Sequence, residues 1–288
     1  MKTEDLQFES DILAIMPEKL NEVITARQQI TIKNADMVEI SNRRATQFKN
    51  VKGKVVVVPL HGYISREPTF YSAMGLETSS QTFGGWMSDL VANRDVGAIV
   101  IDVDSPGGTC AGLSSVTDKI FALRGTKPII AVSSDMMASA AYFIGSAADE
   151  IVADPDSITG SIGTIAVHLD WSGLLEQAGV KATIIKAGKY KDEGHPYQPL
   201  TDEAKEDYQN MVNDYYDTFV SAVARNRGIT ASKVKTDFGQ GRVFRADKAI
   251  SAGMVDRKAT LEQVISDLLP KGNNKSFSQA KLDLLMIK

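Results

Sequence analysis

The amino-acid sequence predicts an α/β fold built on largely parallel strands. Three observations carry that expectation. Apolar runs recur at 55–60, 98–103, 128–133, 150–153, 162–167 and 182–187, each flanked by Gly, Pro or Asp. Short bounded runs of this kind read as buried strands. Helical patterns lie between several of them, and strand–helix alternation is the mark of a mainly parallel sheet. The third observation is size: 288 residues, 43% hydrophobic and 24% charged, can fill a sizeable core.

In chain order, residues 1–50 are polar and read as an N-terminal arm, with one amphipathic candidate helix near Pro17–Arg27. The first strand follows at 55–60. Residues 63–80 are rich in Ser and Thr and are expected to form a substrate-side loop. Phe83, Trp86, Leu90 and Val91 share one face of a helix over 81–93. Leu113, Val116, Ile120 and Leu123 do the same for a helix over 112–124. A long helix spans about 201–227, with Thr201 as its cap, Asp202 and Glu203 at its positive end, and Gly228 as its stop. Its apolar stripe is Tyr208, Met211, Tyr215, Phe219 and Val223. Two shorter helices follow at 246–252 and 261–269, the latter opened by a Thr260–Gln263 capping box. Residues 270–288 begin as a polar linker and end in a short apolar tail.

Composition excludes several functions. With 32 Lys and Arg against 36 Asp and Glu the net charge is −4, which argues against a broad phosphate-binding surface and so against nucleic acid as the partner. The single cysteine, Cys110, forms no intramolecular disulfide and no cysteine zinc site. Three histidines, His61, His168 and His195, leave little material for a metal centre. The N-terminus is acidic where an export signal is basic, and no apolar run approaches the roughly 18–20 residues of a membrane span. The chain reads as intracellular and soluble.

Two segments can carry chemistry. Asp104-Ser105-Pro106-Gly107-Gly108 follows a strand and precedes a helix. Its glycines let the backbone approach a ligand, and N–H groups at a helix start stabilise an anion or a developing oxyanion. A plain strand-to-helix turn explains the same residues. In Asp135-Met136-Met137-Ala138-Ser139-Ala140-Ala141-Tyr142-Phe143, Ser139 sits where a helix begins, presenting its hydroxyl as a nucleophile elbow does. A buried small-residue helix capped by Ser139 is the alternative. A serine nucleophile needs a base. His168 is 29 residues downstream without an evident orienting acid, and Lys186, Lys189 and Lys191 cluster after an apolar run. A lysine base must be neutral, which burial favours.

Taken in order, VVVPLHGYI, IDVDSPGG, MMASAAYFIGSAAD, SITGSIGTI, IIKAGKYKDEGHPY and GQGRVFRADKAISAGMVD resemble the signal-peptide-peptidase-A-like serine peptidases, a family that includes phage capsid-maturation proteases. The likeness covers most of residues 55–268. It implies a ClpP/crotonase-type fold, repeated β-β-α units in a compact spiral, and a Ser–Lys dyad that needs no metal or cofactor. Ser139 falls on the nucleophile, Lys191 on the general base with Lys189 as rival, and Ser161 on a residue that orients the lysine. Gly107 and Gly108 fall on the oxyanion segment, helped by the N–H of Ala140. Ala140-Ala141 replaces the Gly-Gly usual after the serine.

The resemblance further implies one peptidase domain over 51–269 between the arm and a tail at 270–288. It also implies a polypeptide substrate and a ring or dome of copies whose Ser and Lys can come from neighbouring subunits. No membrane anchor precedes the domain and only 19 residues follow Leu269. With the arm segment Ile12–Leu20, this points to a phage or prophage head-maturation protease, working in the host cytoplasm or procapsid with capsid, portal or scaffold proteins as partners. A cytosolic peptidase degrading peptides or signal-peptide remnants is the alternative. Three rivals keep the fold but not the dyad: a Ser–His–Asp protease using His168, an acyl-CoA enzyme, and a catalytically silent scaffold or shell protein.

Overall fold

A computed structural model describes residues 12–29 and 54–269. The residues of the expected tail, 270–288, and most of the arm lie outside them.

The strands show two-sided burial. In β2 (Lys54–Ser65), Val56, Val58 and Leu60 enter one core while Val55 and Val57 pack on the opposite side of the sheet. In β4 (Val96–Thr109), Ile99, Ile101 and Val103 face the first core and Val100 the second. A period of two with apolar residues on both faces is what a covered parallel sheet requires. Helices supply the covers. Phe83, Met87 and Leu90 of α3 (Ser80–Ala92) and Leu113, Val116 and Ile120 of α4 (Leu113–Leu123) fill the larger core. Phe219 and Val223 of α7 (Asp202–Arg227) join them, and Phe219 stacks on Phe143 at 4.6 Å. Val264 of α10 (Leu261–Leu268) covers the other face. Each such fully buried side chain contributes about 1.5–3 kcal/mol.

The main sheet runs β3 (Glu77–Ser79), β2, β4, β5 (Ile129–Ala138), β6 (Glu150–Ala153) and β9 (Arg257–Lys258), all parallel. The long strands shift register midway: β2 and β4 slip between His61 and Tyr63, and β4 and β5 between Val103 and Ser105. Their second halves therefore take new partners. The end of β5 pairs with β7 (Ile158–Gly160), which pairs antiparallel with β8 (Val243–Arg245). The end of β4 pairs antiparallel with β1 (Leu13–Ile15). The expected α/β class, with strand–strand–helix repetition in a single catalytic unit, is what the structure has.

Capping follows the sequence closely. Thr201 accepts the Ala204 N–H at the start of α7, Gly228 ends it at φ 65°, and both halves of the Thr260–Gln263 box form. Helix α1 runs Pro17–Gln29, two residues beyond the expected Arg27. Residues 63–80 are more ordered than a loop: β2 continues to Ser65, and α2 (Phe70–Met74), capped by Thr69, leads into β3.

Two expected strands are absent. Over 162–167 only Ile165 makes a bridge, and 182–187 has no regular structure. Neither run meets a full partner strand in this chain, and Ile185 stands 95% exposed. The stripe of α7 is buried only toward its end, since Met211 and Tyr215 are exposed. Among the described residues no helix is long and apolar enough to cross a membrane.

Candidate active site

Ser139 joins β5 to α5 (Ala140–Gly145) with φ 54° and ψ −117°, a conformation side-chain-bearing residues rarely adopt. The fold holds it there from both sides. Its N–H donates to the Gly160 carbonyl at 2.7 Å, and its carbonyl accepts the Phe143 N–H at 2.9 Å. Its hydroxyl does not cap the helix; it reaches toward the Gly163 carbonyl at 3.5 Å. A strained serine between strand and helix is the geometry of a nucleophile elbow. Ala140 opens the helix, where a first-turn N–H has no partner within the helix.

The glycine strand packs directly on this elbow. A Cβ on Gly107 (φ 104°) would lie 2.9 Å from the Ser139 Cβ and 3.0 Å from the Ala140 nitrogen. A Cβ on Gly108 would lie 1.9 Å from the Ile64 carbonyl oxygen, so β2 excludes any side chain there. Ser105, which the sequence reading passed over, shapes the turn. Its buried hydroxyl donates to the Gly62 carbonyl at 2.6 Å and accepts the Gly107 N–H at 3.2 Å. With Gly107 so occupied, the oxyanion role expected of this segment falls to the Gly108 N–H, which faces β1 here, and to the Ala140 N–H. The expectation that these glycines stand at a helix start is corrected: they lie inside β4, and α4 begins at Leu113 after Gly112. The extra strand residues exist because β4 continues past its register shift to pair with β1 and with Ile64 of β2.

Ser161 has a second strained backbone, φ 53°, with its N–H donating to the Arg242 carbonyl at 2.9 Å. It lines a cavity of about 550 Å³ with Ile15, Gly163, Gln209, Lys235 and Gln240. Lys235 is the only lysine on that wall among the described residues. Its bond to Asp217 at 2.7 Å raises its pKa, so it stays charged and makes a poor base.

The three clustered lysines differ. Lys186 is paired with Asp192. Lys189 donates to the Tyr190 hydroxyl at 2.6 Å and to Glu203 at 3.1 Å, and these bonds push its pKa up, against a basic role. Lys191 is exposed, and no side-chain hydrogen bond engages it among the described residues. Ser139 by contrast is fully buried, and the segment 182–187 that leads into the lysine loop pairs with no strand.

None of the three histidines bonds Ser139. His61 lies 3.0 Å from Asp102, which also accepts from Ser134. Burial pushes the Asp102 pKa up, but the hydrogen bonds from His61 and Ser134 outweigh it and leave the carboxyl below its usual value. His168 shows no such carboxylate partner. Among the described residues no three His, Cys, Asp or Glu side chains group to hold a metal ion.

The chain has relatives among known proteins. Residues 122–272, more than half of the chain, match the model of Peptidase family S49. The Methanocaldococcus jannaschii protein named "Putative protease MJ0651" is 35% identical over 63% of this chain and 58% of its own length. Capsid assembly protease C of Escherichia phage lambda is 29% identical over 74% of this chain and 48% of its own. The Enterococcus faecium protein named "Putative signal peptide peptidase SppA" is 27% identical over 90% and 76%. The chain thus spans about half the length of several relatives it matches. Among solved structures, a membrane-bound stomatin-specific protease aligns at 16% identity with a TM-score of 0.44, over 75% of this chain and 84% of that one. A strained serine against a glycine strand, and a family match running through that serine and the lysine loop, make one conclusion: this chain belongs to peptidase family S49, a family of serine peptidases.

Proposed function

We propose that this chain is a serine endopeptidase with Ser139 as nucleophile and Lys191 as general base, its catalytic unit spanning 51–269. The observation that carries the reading is Ser139 itself, held at φ 54° against Gly107 and the Ala140 nitrogen. Lys191 Nζ takes the hydroxyl proton and Ser139 Oγ attacks a peptide carbonyl carbon. The Gly108 and Ala140 N–H groups hold the oxyanion. Collapse breaks the C–N bond, and the lysine returns the proton to the departing amine. Water then repeats the sequence and frees the acyl group. Ser161 orients the lysine.

Lys191 is exposed while Ser139 is buried, which favours a site completed by a neighbouring copy that orders the lysine loop or lends its own lysine. The active form is a ring or dome. Likeness to the lambda capsid assembly protease supports a role in phage or prophage head maturation, acting on capsid, portal or scaffold polypeptides in the host cytoplasm or procapsid. Likeness to the E. faecium protein supports a second reading, a cellular peptidase that degrades peptides or signal-peptide remnants.

Incubating the full chain with unfolded casein tests the chemistry. Ser139→Ala and Lys191→Ala are each expected to lower turnover by about 10²–10⁴-fold or more, with His168→Ala near wild type. Activity that survives Ser139→Ala overturns the peptidase reading; loss with His168→Ala and retention with Lys191→Ala replaces the dyad with a triad.

A further inference from the structure

We propose that residues 12–16 are a built-in occupant of the substrate groove, a tethered strand that excludes other polypeptides until it is displaced. The inference rests on the reading of Ser139 as the nucleophile.

The strand is hydrogen-bonded along both edges. Leu13 and Ile165 exchange N–H to carbonyl bonds, both 2.9 Å. On the other edge the Met16 N–H donates to the Pro106 carbonyl at 2.8 Å, and the Cys110 N–H donates to the Ile12 carbonyl at 3.2 Å. The register sets Ala14 opposite Gly108, midway between those two bonded pairs. In an antiparallel ladder bonded pairs alternate, so the Gly108 N–H faces the Ala14 carbonyl. That N–H is the donor assigned above to the oxyanion. The Ala14 oxygen also lies 2.2 Å from the point where a Gly107 Cβ would stand, a point 2.9 Å from the Ser139 Cβ and 3.0 Å from the Ala140 nitrogen. One peptide carbonyl of the arm therefore lies within about 5 Å of both the Ser139 Cβ and the Ala140 nitrogen, on the edge that carries the Gly108 N–H.

Side chains agree with the backbone. Ala14 is fully buried and Ile12, Leu13 and Ile15 nearly so, with Leu13 and Ile15 packed against Tyr63, while Ser139 itself has no exposed surface. Beneath Ala14 lies a cavity of about 270 Å³ bordered by Cys110, Leu113, Phe143 and Phe219, far more room than a methyl group fills. An extended polypeptide needs the same sheet edges, main-chain to main-chain, with an apolar side chain over this cavity. The arm holds them because it belongs to the same chain, which makes its seating an intramolecular event that a free polypeptide must outcompete. Among the described residues no lysine hydrogen-bonds the Ser139 hydroxyl, which reaches only toward the Gly163 carbonyl, so the arm lies against an unactivated hydroxyl and stays intact.

Two measurements on the full chain test the assignment. In the first, a fluorescent peptide carrying residues 11–18 is titrated into Ser139→Ala and into Ser139→Ala with Leu13→Asp. The released arm is expected to let the peptide bind at least tenfold tighter. In the second, casein cleavage is followed with Ser139 intact. Leu13→Asp should accelerate it at least tenfold. Ile12→Cys places a thiol directly opposite Cys110, within disulfide reach. The oxidised form should fall to the Ser139→Ala background and recover with reductant. Equal peptide binding by both forms, or a locked form that cleaves at the wild-type rate, overturns the proposal. Peptide competition with no casein cleavage in any form keeps the arm in the groove and removes the peptidase reading. Equal cleavage by all forms does the reverse.

Discussion

Ser139, like Ser161, carries a side chain on a backbone of positive φ. A side-chain-bearing residue in such a region costs about 1–3 kcal/mol, while glycine adopts it freely and loses about 0.5–1 kcal/mol of chain entropy. Ser139→Gly is therefore expected to abolish turnover and yet raise stability by about 1 kcal/mol, a Tm increase of about 2–4 °C. Ser139→Ala keeps the strain and should show no such gain. A thermal melt in which Ser139→Gly unfolds below Ser139→Ala would remove the claim of strain. The serine's position at a strand–helix junction was legible because it depends on neighbours in sequence. Its backbone angle was not, since Gly160 and Phe143 impose it. Nor was Ser105 legible, because its partner Gly62 lies 43 residues away and meets it only once β2 and β4 align.

Elements with local signals were readable, and those that depend on a distant partner were not. Helices α3, α4, α7, α9 (Ala246–Ala252) and α10 fall where the sequence places them, and α7 and α10 carry the caps read for them. The runs at 162–167 and 182–187 have strand composition but no full ladder to join, and an isolated strand leaves its backbone groups unpaired. The lysine segment is thus an exposed, irregular stretch, and among the described residues trypsin under native conditions should cut first at Lys181, Lys186, Lys189 or Lys191. Mass spectrometry of the first fragments checks this. If copies assemble through that segment, raising the protein concentration should protect these sites. An initial cut at Lys119 within α4 would contradict this order.

At the scale of the whole molecule, two carboxylates tie distant parts together and set the acid limb of stability. Asp102 joins β2 and β5 through His61 and Ser134. Asp256 receives Arg227 at 2.6 Å and the Ile151 N–H at 2.8 Å, linking α7 to the sheet. Burial opposes ionisation of each, but hydrogen bonds prevail and hold both below the usual carboxylate value. A carboxyl whose folded pKa is depressed contributes stability above its unfolded value, about 3.9, and loses it as pH falls through the folded value. Unfolding monitored by circular dichroism should therefore show stability dropping below about pH 4. Asp256→Asn should lower stability at pH 7 by about 1–2 kcal/mol and flatten the acid drop. An unchanged acid limb in Asp256→Asn would show that Arg227 gains nothing from the charge.

By itself the sequence determined the α/β class, the order of most elements, and which serine, glycines and lysines to watch. All of these rest on periodicity, caps and short motifs that act over a few residues. Tertiary structure alone decided three things: the strain at Ser139, the exposure of Lys191 beside the burial of Ser139, and the seating of residues 12–16 against the glycine strand. Each depends on hydrogen bonds between segments far apart in the chain, and no local pattern encodes which sheet edge a short apolar segment will find.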